Sequence, residues 1–256
     1  MLLVKTDTKS KTYDIYLKHK DALDNYCNFL SKRQQNTDDL ILSFLDVVSL
    51  SPLNDKKIKP LVLDFTKDKL FFRLSHTSKN KEPLARAVLS NIDKDDLIFD
   101  ATAGLGRDSM ILHKFGANLI AFERNVVIYC LLEDALNRAK ESDAFLKITN
   151  SLPKLHPLGS IDGYEGERPS VIYYDPMFPT RKKSALVKKD MQLFKALIGE
   201  DEDVMDYLKK ALSLATRKVV LKRPKLSEIL VIDNIKPYTS IDGGACRFDC
   251  YKALDA

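Results

Sequence analysis

Apolar residues recur at helical spacing from Tyr13 to Leu30 (Ile15, Leu17, Leu23, Tyr26, Phe29, Leu30), which predicts a first helix before the polar segment Ser31–Asp39. A second apolar stretch, Leu40–Leu50, fits no single period. Two short runs, Leu61–Phe65 and Leu70–Leu74, flank the turn-like Thr66-Lys67-Asp68-Lys69 and predict two strands. From Lys81 the pattern becomes regular. Pro83 opens a helix to about Asn91, and strands are predicted at Leu97–Asp100, Leu119–Glu123, Phe145–Thr149, Val171–Asp175 and Lys218–Lys222. Helical patterns fall between them, around Met110–Phe115, Val126–Lys140 and Asp203–Ala215, and strands at Ile229–Ile235 and Arg247–Tyr251 close the chain. Strand alternating with helix predicts an α/β fold with a mostly parallel sheet and helices on both faces, antiparallel strands being admissible at its end. Residues 1–78 are expected to form a small N-terminal α+β domain and 79–256 the main domain.

The stretch Asp100-Ala101-Thr102-Ala103-Gly104-Leu105-Gly106-Arg107-Asp108 joins the first of the regular strands to a helix. Two glycines let the backbone turn sharply and approach a ligand, and the helix start offers unpaired N–H groups to it. A dinucleotide fingerprint needs a small residue at 109, and Ser109 is neither glycine nor alanine. An acid placed ahead of the glycines suits the ammonium of a methionine tail better than a pyrophosphate. Glu123, about 20 residues further on at a strand end, suits the two hydroxyls of an adenosine ribose, with Arg124 beside it. Asn150-Ser151, at the end of the expected third strand, could face the adenine edge.

The end of the fourth strand reads Tyr173-Tyr174-Asp175-Pro176-Met177-Phe178-Pro179. It resembles the D-P-P-Y/F tetrapeptide of amino-group methyltransferases, with Met177 at the second proline. An aromatic amine must be turned toward the methyl donor and its hydrogens accepted. Asp175 and the Pro176 carbonyl supply acceptors, and Phe178 supplies a stacking face.

The chain of 256 residues, 45% hydrophobic and 30% charged, is long enough for a large core. No apolar run approaches the roughly 18 residues of a membrane span, and the N-terminus lacks signal-peptide character, so a cytoplasmic protein is expected. Cys27, Cys130, Cys246 and Cys250, with His19, His76, His113 and His156, show no metal-ligand spacing, and no metal is expected. The formal charge is +5, yet Pro176–Lys225 alone holds thirteen Lys/Arg against six Asp/Glu. That block reads as a phosphate-binding rim, with Arg181, Lys182, Lys183, Lys188, Lys189, Lys222 and Arg223 as its candidates.

Together with Phe122-Glu123-Arg124-Asn125, Lys183–Lys189 and Val220-Leu221-Lys222-Arg223-Pro224, the glycine loop and Asp175–Pro179 closely resemble the ribosomal RNA small subunit methyltransferase J family, from about Leu61 to the C-terminus. The resemblance implies a class I methyltransferase with a Rossmann-like sheet. It implies methyl transfer from S-adenosylmethionine to the exocyclic N2 of one guanine in small-subunit ribosomal RNA. The resemblance places cofactor contacts on Arg107-Asp108, Glu123-Arg124, Asn150-Ser151 and Asp175, and Asp100, Gly104 and Gly106 of the loop are expected to bind the cofactor as well. Asn150 stands where a second serine is usual, Ser78–Pro83 lacks the family's glycines, and residues 1–55 match poorly. Two other classes compete. A nicotinamide-dependent oxidoreductase needs a third loop glycine or alanine and a hydride-relay residue, neither of which is evident, and a non-catalytic RNA-binding module explains the basic rim but not Asp175–Pro179. Acceptors on DNA, another RNA or a protein stay open on residues alone.

Overall fold

The computed structural model describes residues 1–32, 39–55, 57–67, 69–177 and 203–254. Its N-terminal part contains β1 (Leu2–Thr6), α1 (Tyr13–Lys32), β2 (Leu40–Phe44), β3 (Val48–Pro52) and α2 (Lys69–His76). The stretch Leu40–Leu50 resolves into a hairpin, because Leu40, Leu42 and Phe44 and then Val48 and Leu50 alternate into the core on either side of a turn. β1 pairs parallel with β2. Two sequence expectations fail here. Leu61 makes only an isolated bridge to Leu50, so Leu61–Phe65 is no strand. Leu70–Leu74 is helical: Leu70 and Leu74 are buried four residues apart while Phe72 is exposed, a period of 3.6 and not 2.

The rest contains α3 (Pro83–Val88), β4 (Leu97–Asp100), α4 (Arg107–Lys114), β5 (Asn118–Ala121), α5 (Val126–Lys140), α6 (Asp143–Thr149), β6 (Lys154–Leu155), β7 (Val171–Tyr174), α7 (Val204–Leu214), β8 (Lys218–Pro224), β9 (Thr239–Asp242) and β10 (Cys246–Lys252). Phe145–Thr149, expected as the third strand, is a helix whose start Ser142 caps by accepting the Phe145 N–H at 3.3 Å. Its place in the sheet goes to β6, which pairs parallel with β5. Ile229–Ile235 forms only an Ile232–Ile235 bridge, and the edge strand is β9 instead.

The sheet order is β6-β5-β4-β7-β8-β10-β9, with β10 antiparallel to both neighbours and the other described pairings parallel. Alternate residues feed two cores. Ile98, Val171, Tyr173, Val220 and Cys250 face α3, α4 and α5, whereas Phe99, Ile172, Tyr174, Val219 and Tyr251 face α7. The first core continues without a break into the N-terminal residues Leu23, Leu42, Phe44 and Leu50. Polar contacts reinforce that seam: His19 Nε2 lies 2.7 Å from Glu133 Oε2 and the Val48 N–H donates to Asp134 Oδ2 at 3.1 Å. No described helix is long and apolar enough to cross a membrane.

Candidate active site

The chain moves outward from β4 to β5 and β6, then returns so that β7 pairs with the other edge of β4. At such a reversal the strand ends leave a crevice. The Ala101 N–H donates to the Tyr173 carbonyl at 2.9 Å and the Asp175 N–H to Thr102 Oγ1 at 2.8 Å, so the glycine loop and the Asp175 segment lie side by side. Gly104 and Gly106 have φ of 53° and 70°, in the left-handed region that favours glycine. A Cβ on Gly106 would come within 2.6 Å of Leu132 Cδ1 and 3.1 Å of Phe65 Cζ. Asp100, expected at the cofactor's ammonium, is corrected by its burial: it serves the loop itself. It is fully buried, with Oδ2 accepting from Ser109 Oγ at 2.5 Å and Oδ1 from the Thr102 N–H at 3.1 Å, and burial pushes it up to about 7.

Glu123 follows β5 and is 7% exposed. Its Oε2 accepts the Gly104 N–H at 2.9 Å and its Oε1 the Asn125 N–H at 2.7 Å. Burial pushes it up to about 7 in spite of these bonds. A carboxylate has about four lone-pair sites, so both oxygens keep capacity for a ligand's hydroxyls. Arg124 forms a two-pronged pair with Asp203 at 2.7 and 3.2 Å, tying this strand end to the start of α7. Arg107 is exposed at the first residue of α4.

Asp108 and Asp175 are bridged. Lys222 Nζ donates to Asp108 Oδ2 at 2.8 Å and to Asp175 Oδ2 at 2.7 Å, and Tyr173 OH donates to the same Asp108 oxygen at 2.6 Å. Burial raises Asp108, but Lys222, Tyr173 and Arg73 outweigh it and hold the carboxyl below its usual range. This corrects the expectation that Lys222 reaches RNA phosphates, because its ammonium is turned inward between two acids. Arg223 is corrected too: it is 7% exposed and donates to Ser227 Oγ at 3.1 Å and the Glu228 carbonyl at 2.9 Å. Phe178, Arg181, Lys182, Lys183, Lys188 and Lys189 lie outside the described residues.

Asn150-Ser151 also needs correcting. Asn150 ends α6 at φ 64°, and Ser151 Oγ lies 2.9 Å from Nε2 of His113 in the last turn of α4, the end away from the glycine loop. The end of the third parallel strand is instead occupied by 156–162. There the His156 N–H donates to Ala121 O at 2.9 Å, the Gly159 N–H to Glu123 O at 3.0 Å, and Ser160 Oγ to Asp162 Oδ2 at 2.9 Å. His156 stacks on Phe122 with centroids 4.4 Å apart. The Pro157-Leu158-Gly159-Ser160 turn was the sequence signal for this strand end. Among the described residues no cluster of His, Cys, Asp and Glu could hold a metal ion.

The family profile described as "Putative SAM-dependent methyltransferase" matches residues 26–253. A ribosomal RNA small subunit methyltransferase J of Alteromonas mediterranea is 38% identical over 80% of this chain and 79% of its own length. One of Thioalkalivibrio sulfidiphilus is 41% identical over 75% and 76%. The chain belongs to the ribosomal RNA small subunit methyltransferase J family. The crystal structure of a SAM-dependent methyltransferase from Neisseria gonorrhoeae, 26% identical, superposes with a TM-score of 0.67 and covers 100% of this chain and 97% of that one. The chain is a class I S-adenosylmethionine-dependent methyltransferase, as expected from its sequence. The methyltransferase J site in this structure fits that cofactor in kind. Gly106 sits where a side chain has no room, N–H groups open α4, and Glu123 and Asp108 beside the loop would offer negative charge to a sulfonium and an ammonium and acceptors to ribose hydroxyls.

Proposed function

We propose that this chain methylates the exocyclic N2 amine of a guanine in small-subunit ribosomal RNA. The relatives' name supports the ribosomal substrate. The observation that carries the amine reading is the tie between Asp175 and the glycine loop, which sets an acceptor-rich turn beside the cofactor crevice. Bound S-adenosylmethionine supplies an electrophilic methyl group. In our reading Glu123 receives the ribose hydroxyls, residues 156–162 flank the adenine, and Gly104, Gly106, Arg107 and Asp108 hold the methionine portion. Asp100 positions the loop from beneath. Arg124 and Asp203 hold the crevice wall. Asp175 and the Pro176 carbonyl accept the hydrogens of the target amine, and Phe178 stacks on the splayed-out base. Arg181, Lys182, Lys183, Lys188 and Lys189 remain our candidates for phosphate contacts. Residues 1–78 form a small domain against the methyltransferase domain 79–256, and the protein works in the cytoplasm, where its substrate is.

Inosine, which lacks the 2-amino group, is the discriminating acceptor. A site built to hold that amine rejects the analogue strongly. RNA with inosine at the target position is expected to bind comparably and accept no methyl. Asp175→Ala should lose turnover on normal RNA at saturating cofactor by 10²-fold or so, in line with about 2.7–4 kcal/mol for a lost transition-state contact. Methyl incorporation into the inosine RNA at that position sinks the amine reading.

A further inference from the structure

The helix α2 presents an unusual outer face. Lys69, Phe72, Arg73 and His76 fall at i, i+3, i+4 and i+7, one stripe of a helix whose opposite side buries Leu70 and Leu74. Phe72 is 65% exposed, and its ring stacks on His76 with centroids 4.1 Å apart and planes 21° apart. An exposed phenyl ring contributes nothing to the core it points away from.

The surroundings are basic. Residues 67–81 contain Lys67, Lys69, Arg73, Lys79 and Lys81 against the single acid Asp68. Glu82 is 4% exposed, and its carboxylate accepts from Arg73 Nε at 2.9 Å and Thr77 Oγ1 at 2.9 Å. It thereby folds the Lys79–Lys81 turn back against the end of α2, so these lysines border the stripe. Helix α2 packs against α4, whose first turn carries Asp108, and Asp108 is joined through Lys222 to Asp175.

We propose that the exposed Lys69–Phe72–His76 face of α2, with Lys79 and Lys81, is a docking surface for single-stranded RNA that guides the substrate toward Asp175. Unpaired bases stack on aromatic side chains while lysines track the phosphates, and two rings flanked by Lys69, Lys79 and Lys81 match both demands. The proposal rests on the RNA reading above and adds a surface contributed by the N-terminal part of the chain.

The test uses the full chain and purified, protein-free small-subunit ribosomal RNA. Phe72→Ala is expected to weaken RNA binding about 5- to 150-fold, the range for loss of one stacked base, and Phe72→Trp to restore it. The triple variant Lys69→Ala, Lys79→Ala, Lys81→Ala should lower the log–log salt slope by about 2. Affinity for S-adenosylhomocysteine should match wild type in all of them, which also certifies the fold. Wild-type RNA affinity in both the Phe72→Ala and triple-lysine variants overturns the proposal. So does unchanged binding to naked RNA with lost methylation of assembled subunits, which would make the stripe a protein-docking face. A wild-type enzyme that leaves no N2-methylguanosine but still needs Phe72 for RNA would refute the guanine reading and leave the surface standing.

Discussion

Glu123 combines two demands on one carboxylate: it holds the Gly104 and Asn125 amides, and in our reading it also takes the ribose. Burial lifts it from 4.5 to about 7, so ionisation costs stability as pH rises from the unfolded to the folded value. A ligand that donates hydroxyl hydrogens favours the ionised form. Cofactor affinity is therefore expected to rise from pH 6 to 8 and then level off, with proton release on binding below pH 7. Glu123→Gln should bind more weakly by a few kcal/mol, since hydrogen bonds to charged groups contribute about 1.5–3 each, and should lose the pH dependence. Calorimetry in two buffers of different ionisation enthalpy reads both. An identical proton release in the variant would remove Glu123 from the ribose.

At the scale of elements, Lys222 fastens β8 to the end of β7 and to the start of α4 through two carboxylates. Asp108 titrates below its usual value because of that contact, so the stabilisation it brings is present above about pH 4 and lost as pH falls through the lowered value. Lys222→Met leaves Asp108 and Asp175 facing each other without the cation. Stability should fall by about 1–3 kcal/mol at pH 7.5, and by clearly less at pH 5, where one carboxyl can take up a proton. Urea unfolding at the two pH values measures the difference. An equal deficit at both would mean that Lys222 acts through packing alone.

Across the whole molecule the N-terminal part and the sheet share an apolar core. Leu23, Leu42 and Leu50 belong to the same cluster as Leu131, Leu132 and Ala135 of α5, and Phe65 packs beside Gly106. Cutting the chain after residue 78 would expose that face of α5 and loosen the glycine loop. The fragment 79–256 is accordingly expected to bind no S-adenosylhomocysteine and to show no cooperative melting, read by circular dichroism with and without ligand. A fragment that melts cooperatively and is shifted upward by the ligand would make the two parts energetically independent.

What the sequence determined by itself was local in its physics. The left-handed turns at Gly104 and Gly106 need glycine, and the Asp175-Pro176 turn is stiffened by its own proline, so both could be located from residue order alone. The helix Val126–Lys140 was legible to its ends because fifteen residues hold a period, with Asn125 accepting the Val127 and Ile128 N–H groups. Runs of five residues, Leu70–Leu74 and Phe145–Thr149, are too short to separate a period of 2 from 3.6, and the two-residue β6 carries no period at all. There the decision fell to packing. Whether a cation faces water or an acid is likewise a matter of what the sheet brings near it: Lys222 and Arg223 share the composition of a basic rim. Only the pairing of β8 with β7 and β10 turns the first between Asp108 and Asp175 and buries the second.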